Sequence, residues 1–184
     1  MKIKIADISP YLESLSEKEK DKLIARLLTK NQAELETIYF QKVASKNDLE
    51  DLFADVKAEI EDAMNVYINY GVIQKNLAKG IQKATQAINR YKAIDRRPEK
   101  EGELIMYMLE IIFTDFGNEF GTCWTVFDFR VAQAISKVVT IVTRKIHADY
   151  RMDFEGNINR YIKRLKSVAS HNDVIYNLPD KINY

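Results

Sequence analysis

The side chains that titrate or attack near neutral pH are few: two histidines, His147 and His171, and one cysteine, Cys123. A thiol nucleophile needs a base within hydrogen-bond reach. Cys123 stands beside Trp124 in an aromatic stretch, which reads as a small buried thiol packed in a core. Asp115 and Glu119 are four residues apart, so a continuous helix would turn both carboxylates to one side, and Asp128 and His171 would extend them into a hard-cation site for hydrolysis or redox chemistry. Against that stand the missing Glu-x-x-His pair of di-iron bundles and Gly117, a helix breaker between the two acids. His147-Ala148-Asp149 and His171-Asn172-Asp173 have the local form of caps or turns. Gly117 and Gly121 match no phosphate-loop pattern and read as helix ends. No catalytic residue, metal ligand or cofactor is assigned on this basis.

Cations give the better-defined pattern. Lys75, Lys79, Lys83, Arg90 and Arg97 recur at steps of four and seven, opposite an apolar stripe of Leu77, Ile81, Ala84, Ile88 and Tyr91. Residues 65–101 hold eight Lys and Arg against three Asp and Glu, a net +5, whereas residues 1–64 carry a net −4. These five cations are the candidate partner-binding residues. A solvated helix face has the same appearance, and no aromatic side chains interleave the stripe for base stacking. Arg160, Lys163, Arg164 and Lys166 would enlarge the patch if their helix lay beside it.

Helices must carry these residues. Ser9 before Pro10, Ser16 before Glu19 and Asn31 before Glu34 have the form of helix starts, and Asp48 reads as the cap of a longer helix running through Tyr67 and Ile68 to a stop at Gly71. From Val72 to Arg97 the apolar positions keep steps of three and four until Pro98. The polar stretch 96–102 is the one clear loop and a hinge candidate. Glu103 to Phe116 is apolar on most sides, as a central helix would be. Phe127 to His147 keeps the helical period despite its β-branched residues, Ile158 to Val168 forms a last helix, and residues 170–184 read as irregular.

Six Gly and three Pro in 184 residues favour long helices over a sheet with many turns. A 46% apolar, 30% charged composition supports a folded core. The expected fold is an all-α, single-domain, irregular bundle of about six to eight helices over 1–184, with stacked helix pairs as a variant. A net charge of +1 gives no global attraction to nucleic acid or anionic lipid. A lone cysteine excludes an internal disulfide framework. With no secretory apolar segment and no membrane span in view, the chain is expected to be cytoplasmic.

The run Tyr11-Leu12-Glu13-Ser14-Leu15-Ser16 with Leu23-Ile24, and Phe116-Gly117-Asn118-Glu119-Phe120-Gly121 with Phe127, resemble a family of small bacterial all-helical proteins known only as a domain of unknown function. The resemblance covers most of the chain and implies a helical fold and a bacterial origin, without a mechanism. The chain departs from the pattern where acidic residues would follow the second motif, having Thr122, Trp124 and Thr125.

The leading expectation is a non-enzymatic interaction or adaptor protein that uses a charge-polarised surface to bind a protein partner or to self-associate. The alternatives are a carboxylate and histidine metal-dependent enzyme, and a weak nucleic-acid binder acting through the 75–97 basic face.

Overall fold

The computed structural model describes residues 4–65, 73–122, 125–169 and 173–183, and every regular element among them is an α-helix. The all-α expectation holds. The contacts divide the chain into two compact units, Met1–Ala44 and Ser45–Tyr184. The expected hinge at 96–102 does not mark a boundary of this kind.

The smaller unit holds α1 (Ile5–Ser14), α2 (Glu17–Lys30) and α3 (Gln32–Lys42). α1 starts earlier than Ser9 and Pro10 suggest: the Lys4 backbone N–H donates to Asp7 Oδ2 at 2.8 Å, and Pro10 lies inside the helix. At α2 the capping pair is as expected, with the Ser16 N–H donating to Glu19 Oε2 at 2.9 Å. Asn31 caps α3 and accepts from the Glu34 N–H. No described residue of the three helices is buried.

The larger unit holds α4 (Lys46–Met64), α5 (Ile73–Ile94), α6 (Pro98–Asp115), α7 (Val126–Arg144), α8 (Ala148–Val168) and the single turn α9 (Asp173–Tyr176). Ser45, not Asp48, is the cap of α4. The two side chains work reciprocally, Ser45 N–H donating to Asp48 Oδ2 at 2.7 Å and Asp48 N–H to Ser45 Oγ at 3.3 Å. The expected run through Tyr67 and Ile68 to Gly71 lies outside the described residues. α4 packs on α5 where Gly80 meets Ala63, so closely that a Cβ on residue 80 would stand 2.5 Å from the Ala63 carbonyl oxygen.

α6 is the central helix that its composition predicted. It packs against α4, α5 and α7 and reaches α8 by stacking Phe113 on Tyr161, ring centroids 4.5 Å apart. α7 is helical although rich in valine and isoleucine, because Val131, Ile135, Val138 and Val142 are all buried. Core burial at roughly 1.5–3 kcal/mol for each such side chain outweighs a helix propensity deficit of under about 0.7 kcal/mol. The segment after α8 is less irregular than expected: Ile175, Leu178 and Ile182 are buried, and the Asn159 amide both donates to and accepts from the Ile182 backbone, at 2.9 and 2.8 Å. No helix among the described residues is long and apolar enough to cross a membrane.

Candidate functional site

α5 carries Lys75, Lys79, Lys83, Arg90 and Lys92 with no acidic residue, a net +5, and α4 carries two lysines and seven acidic residues, a net −5. The helices pack side by side. The charge polarity seen in the sequence is therefore partly satisfied inside the larger unit. Arg90 donates to Glu59 of α4 at 2.5 Å. Arg97 is not on α5 at all: it holds the N-cap position of α6 without a side-chain capping bond, and its guanidinium and backbone N–H all turn back onto Asp95, the closest contact being 2.6 Å. Lys75, Lys79 and Lys83 remain exposed on α5. Arg160, on α8, pairs instead with Glu110 of α6 at 2.7 Å, and the main neighbour of α8 is α7, so the second basic cluster does not lengthen the α5 stripe.

The expected loop at 96–102 shrinks to a three-residue corner, since Pro98 opens α6 at its first position. Asp95 organises the corner, accepting from the buried Tyr91 hydroxyl at 2.7 Å as well as from Arg97. Burial alone would raise the Asp95 pKa, but the hydrogen bonds from Arg97 and Tyr91 prevail and hold it below the usual carboxylate range. Such a corner is braced rather than hinged.

The acids singled out for metal binding do not converge. α6 ends at Asp115, so Glu119 is not one helical turn along from it. Among the described residues no group of three or more His, Cys, Asp or Glu could hold a metal ion. Cys123 and His171 lie outside the described residues. Asp128 is buried and accepts from the Gly121 N–H at 3.1 Å, while Gln74 donates to the Glu119 carbonyl at 2.7 Å. Together they clamp the turn between α6 and α7. Burial pushes the Asp128 carboxyl up despite the Gly121 bond, and its Oδ1 has no partner among the described residues. Gly121 adopts φ +74°, and a Cβ there would stand 2.2 Å from the Val168 carbonyl oxygen. His147 has the capping position the sequence suggested, at the N-terminus of α8.

Two surfaces escaped the sequence reading. One belongs to the smaller unit, where Ile5, Ile8 and Tyr11 of α1, Ile24 and Leu27 of α2, and Leu35, Ile38, Tyr39 and the following Val43 at α3 are exposed. The helical spacing of Ile24 with Leu27, and of Leu35, Ile38, Tyr39 and Val43, marks sides of helices that seek burial, and nothing in it says whether burial is met.

The other is a groove of about 290 Å³ in the larger unit. Ile81 and Ile88 of α5, Ile105 and Met108 of α6, and Ala134 of α7 form its apolar lining. Gln82, Gln86 and Asn89 edge it on α5, and Arg130, Gln133 and Lys137 on α7. Lys137 is held by Asn89 at 2.9 Å and by the buried Glu101 at 3.1 Å, which also accepts from Lys92 at 2.9 Å. Burial would raise the Glu101 carboxyl, but the two lysines hold it below its ordinary range.

No protein-family model matches the chain, and no curated protein or solved structure matches it.

Proposed function

We propose that the protein is a non-enzymatic helical interaction protein that self-associates through its first 44 residues. One observation carries the reading: none of the described residues in this unit is buried, yet nine large apolar side chains are exposed there, against four among the described residues of 45–184. A unit of about 40 residues rarely closes a sufficient core by itself, and oligomerisation is one common way such a unit is stabilised. The magnitudes agree with a modest affinity. A symmetric pair buries nine half-exposed side chains on each copy, roughly 1 kcal/mol apiece or about 18 kcal/mol together, and a cost of about 10 kcal/mol, within the roughly 4–15 kcal/mol for bringing two bodies together, leaves about 8 kcal/mol. Micromolar association follows, rather than an obligate dimer.

This reading moves the binding energy from the charged stripe of 75–97 to the apolar faces of α1–α3, because Arg90 and Arg97 are engaged by Glu59 and Asp95. A nucleic-acid interface through the same stripe loses two of its five cations for that reason. A cytoplasmic setting rests on the lone cysteine, and membership of the bacterial family rests on the quoted motifs alone.

Sedimentation velocity between about 1 and 100 µM tests the proposal, a range that brackets micromolar dissociation. The sedimentation coefficient is expected to rise with concentration, and Ile24→Asp with Leu27→Asp, at exposed sites, is expected to abolish the rise while preserving the thermal transition of the helical bundle. A monomer over the whole range, or an oligomer indifferent to both substitutions, would overturn it.

A further inference from the structure

We infer that the groove between α5 and α7 is a binding site for a small amphiphilic carboxylate, a compact apolar body with one anionic head. The inference does not depend on self-association, which concerns the first 44 residues.

Small-molecule sites are concave and mainly apolar, with a few polar groups that fix orientation. The groove has that make-up: aliphatic side chains and Met108 inside, amides and two cations at the edge, and no carboxylate in its lining. The hollow lined by Tyr107 and Tyr161 is larger, but it is more open to solvent and its lining mixes Glu103, Glu110 and Asp153 with Lys57 and Arg160, so it selects no sign of charge.

The two cations of the groove are not equivalent. Lys137 is already paired with Glu101. Arg130 has Gln133 Oε1 as a neutral partner at 3.1 Å, and among the described residues it makes no ion pair. A guanidinium has five donors in a fork that matches a carboxylate edge to edge, so Arg130 retains capacity for two parallel hydrogen bonds. The Gln133 amide can then turn and donate. An apolar body along the aliphatic lining would leave its anionic head free to meet Arg130, which lines the same groove. Charge complementarity thus sets the sign of the ligand, and the size of the groove restricts it to a small molecule rather than a helix of a partner.

Octanoate is the probe, with octanamide and octylammonium as neutral and cationic controls of the same chain length. Titration of the full chain, followed by side-chain amide resonances of Gln82, Gln86, Asn89 and Gln133, is expected to give saturable shifts with octanoate below about 10 mM, a concentration that detects millimolar affinity. Octanoate should bind at least about tenfold more tightly than either control, an advantage of roughly 1.4 kcal/mol. Arg130→Gln should remove that preference, and because Arg130 makes no ion pair among the described residues the melting temperature should hardly move. If Arg130→Gln fails to fold, Gln86→Glu, which sets a negative charge at the edge, is expected to weaken octanoate and favour octylammonium. Equal affinity for the three ligands, shifts confined to other parts of the molecule, or no shifts at all would each overturn the inference.

Discussion

Asp95, Glu101 and Asp128 are all buried, yet they respond to pH in opposite directions because of what surrounds each carboxylate. Asp95 and Glu101 titrate below their ordinary values in the folded state, so their stabilisation is present above the unfolded pKa and disappears as pH falls below about 4. Asp128 titrates above its ordinary value, so its contribution is present in acid and declines as pH rises through the folded pKa. Asp128→Asn keeps an oxygen for the Gly121 N–H and removes the buried charge. Chemical denaturation at a series of pH values is expected to find the variant at least as stable as the parent at pH 7, with the advantage gone near pH 4. A variant that is weaker at pH 7 than at pH 4 would show that the carboxylate is stabilised there. None of this was legible in the sequence, where Asp128 drew attention as a metal ligand: the Gly121 and Gln74 contacts span 7 and 45 residues, and no periodicity reports such distances.

Among the elements, legibility followed the range of the deciding interaction. Ser16 and Asn31 were readable as caps because both partners lie within three residues. Ser45 and Asp48 form the same kind of reciprocal pair, and choosing Asp48 as the cap moved the start of α4 by three residues. The loop expected at 96–102 is shorter than its composition suggests because Glu101 and Gly102, polar and permissive on paper, are buried within α6. Helix packing supplies a sharper test at Gly80. Alanine there would gain about 1 kcal/mol of helix propensity, but its Cβ would press on the Ala63 carbonyl, which has little room to move, and overpacking of this kind costs about 1–3 kcal/mol. Gly80→Ala is therefore expected to destabilise the bundle by about 1 kcal/mol in thermal or chemical unfolding. Gly156 has nothing within 4 Å of an added Cβ, so Gly156→Ala on α8 is expected to stabilise.

At the scale of the molecule the sequence announced the all-α class and the central helix, but not the boundary after Ala44. Residues 43–46 contain neither proline nor glycine, and the apolar spacing of Leu23, Ile24, Leu27 and Leu28 is no weaker than that of Leu52, Val56 and Ile60. Spacing identifies the side of a helix that seeks cover. Whether cover exists depends on the rest of the fold, and here Leu52, Val56 and Ile60 have it while Ile24 and Leu27 do not.

That contrast determines how the chain would wear. Amides whose opening exposes little apolar surface exchange with solvent through low-energy fluctuations, whereas those in a closed core wait for global unfolding. Deuterium uptake over 5–44 is expected to finish well before uptake in α6 and α7, and brief trypsin treatment should cut first at lysines and arginines of α2 such as Lys22 and Arg26, leaving a resistant fragment that contains α4–α8. Raising the protein concentration should slow both processes in the first segment alone, since association would shelter the same apolar faces. An intact chain thus carries its own reporter of assembly: the lifetime of its earliest cleavage sites.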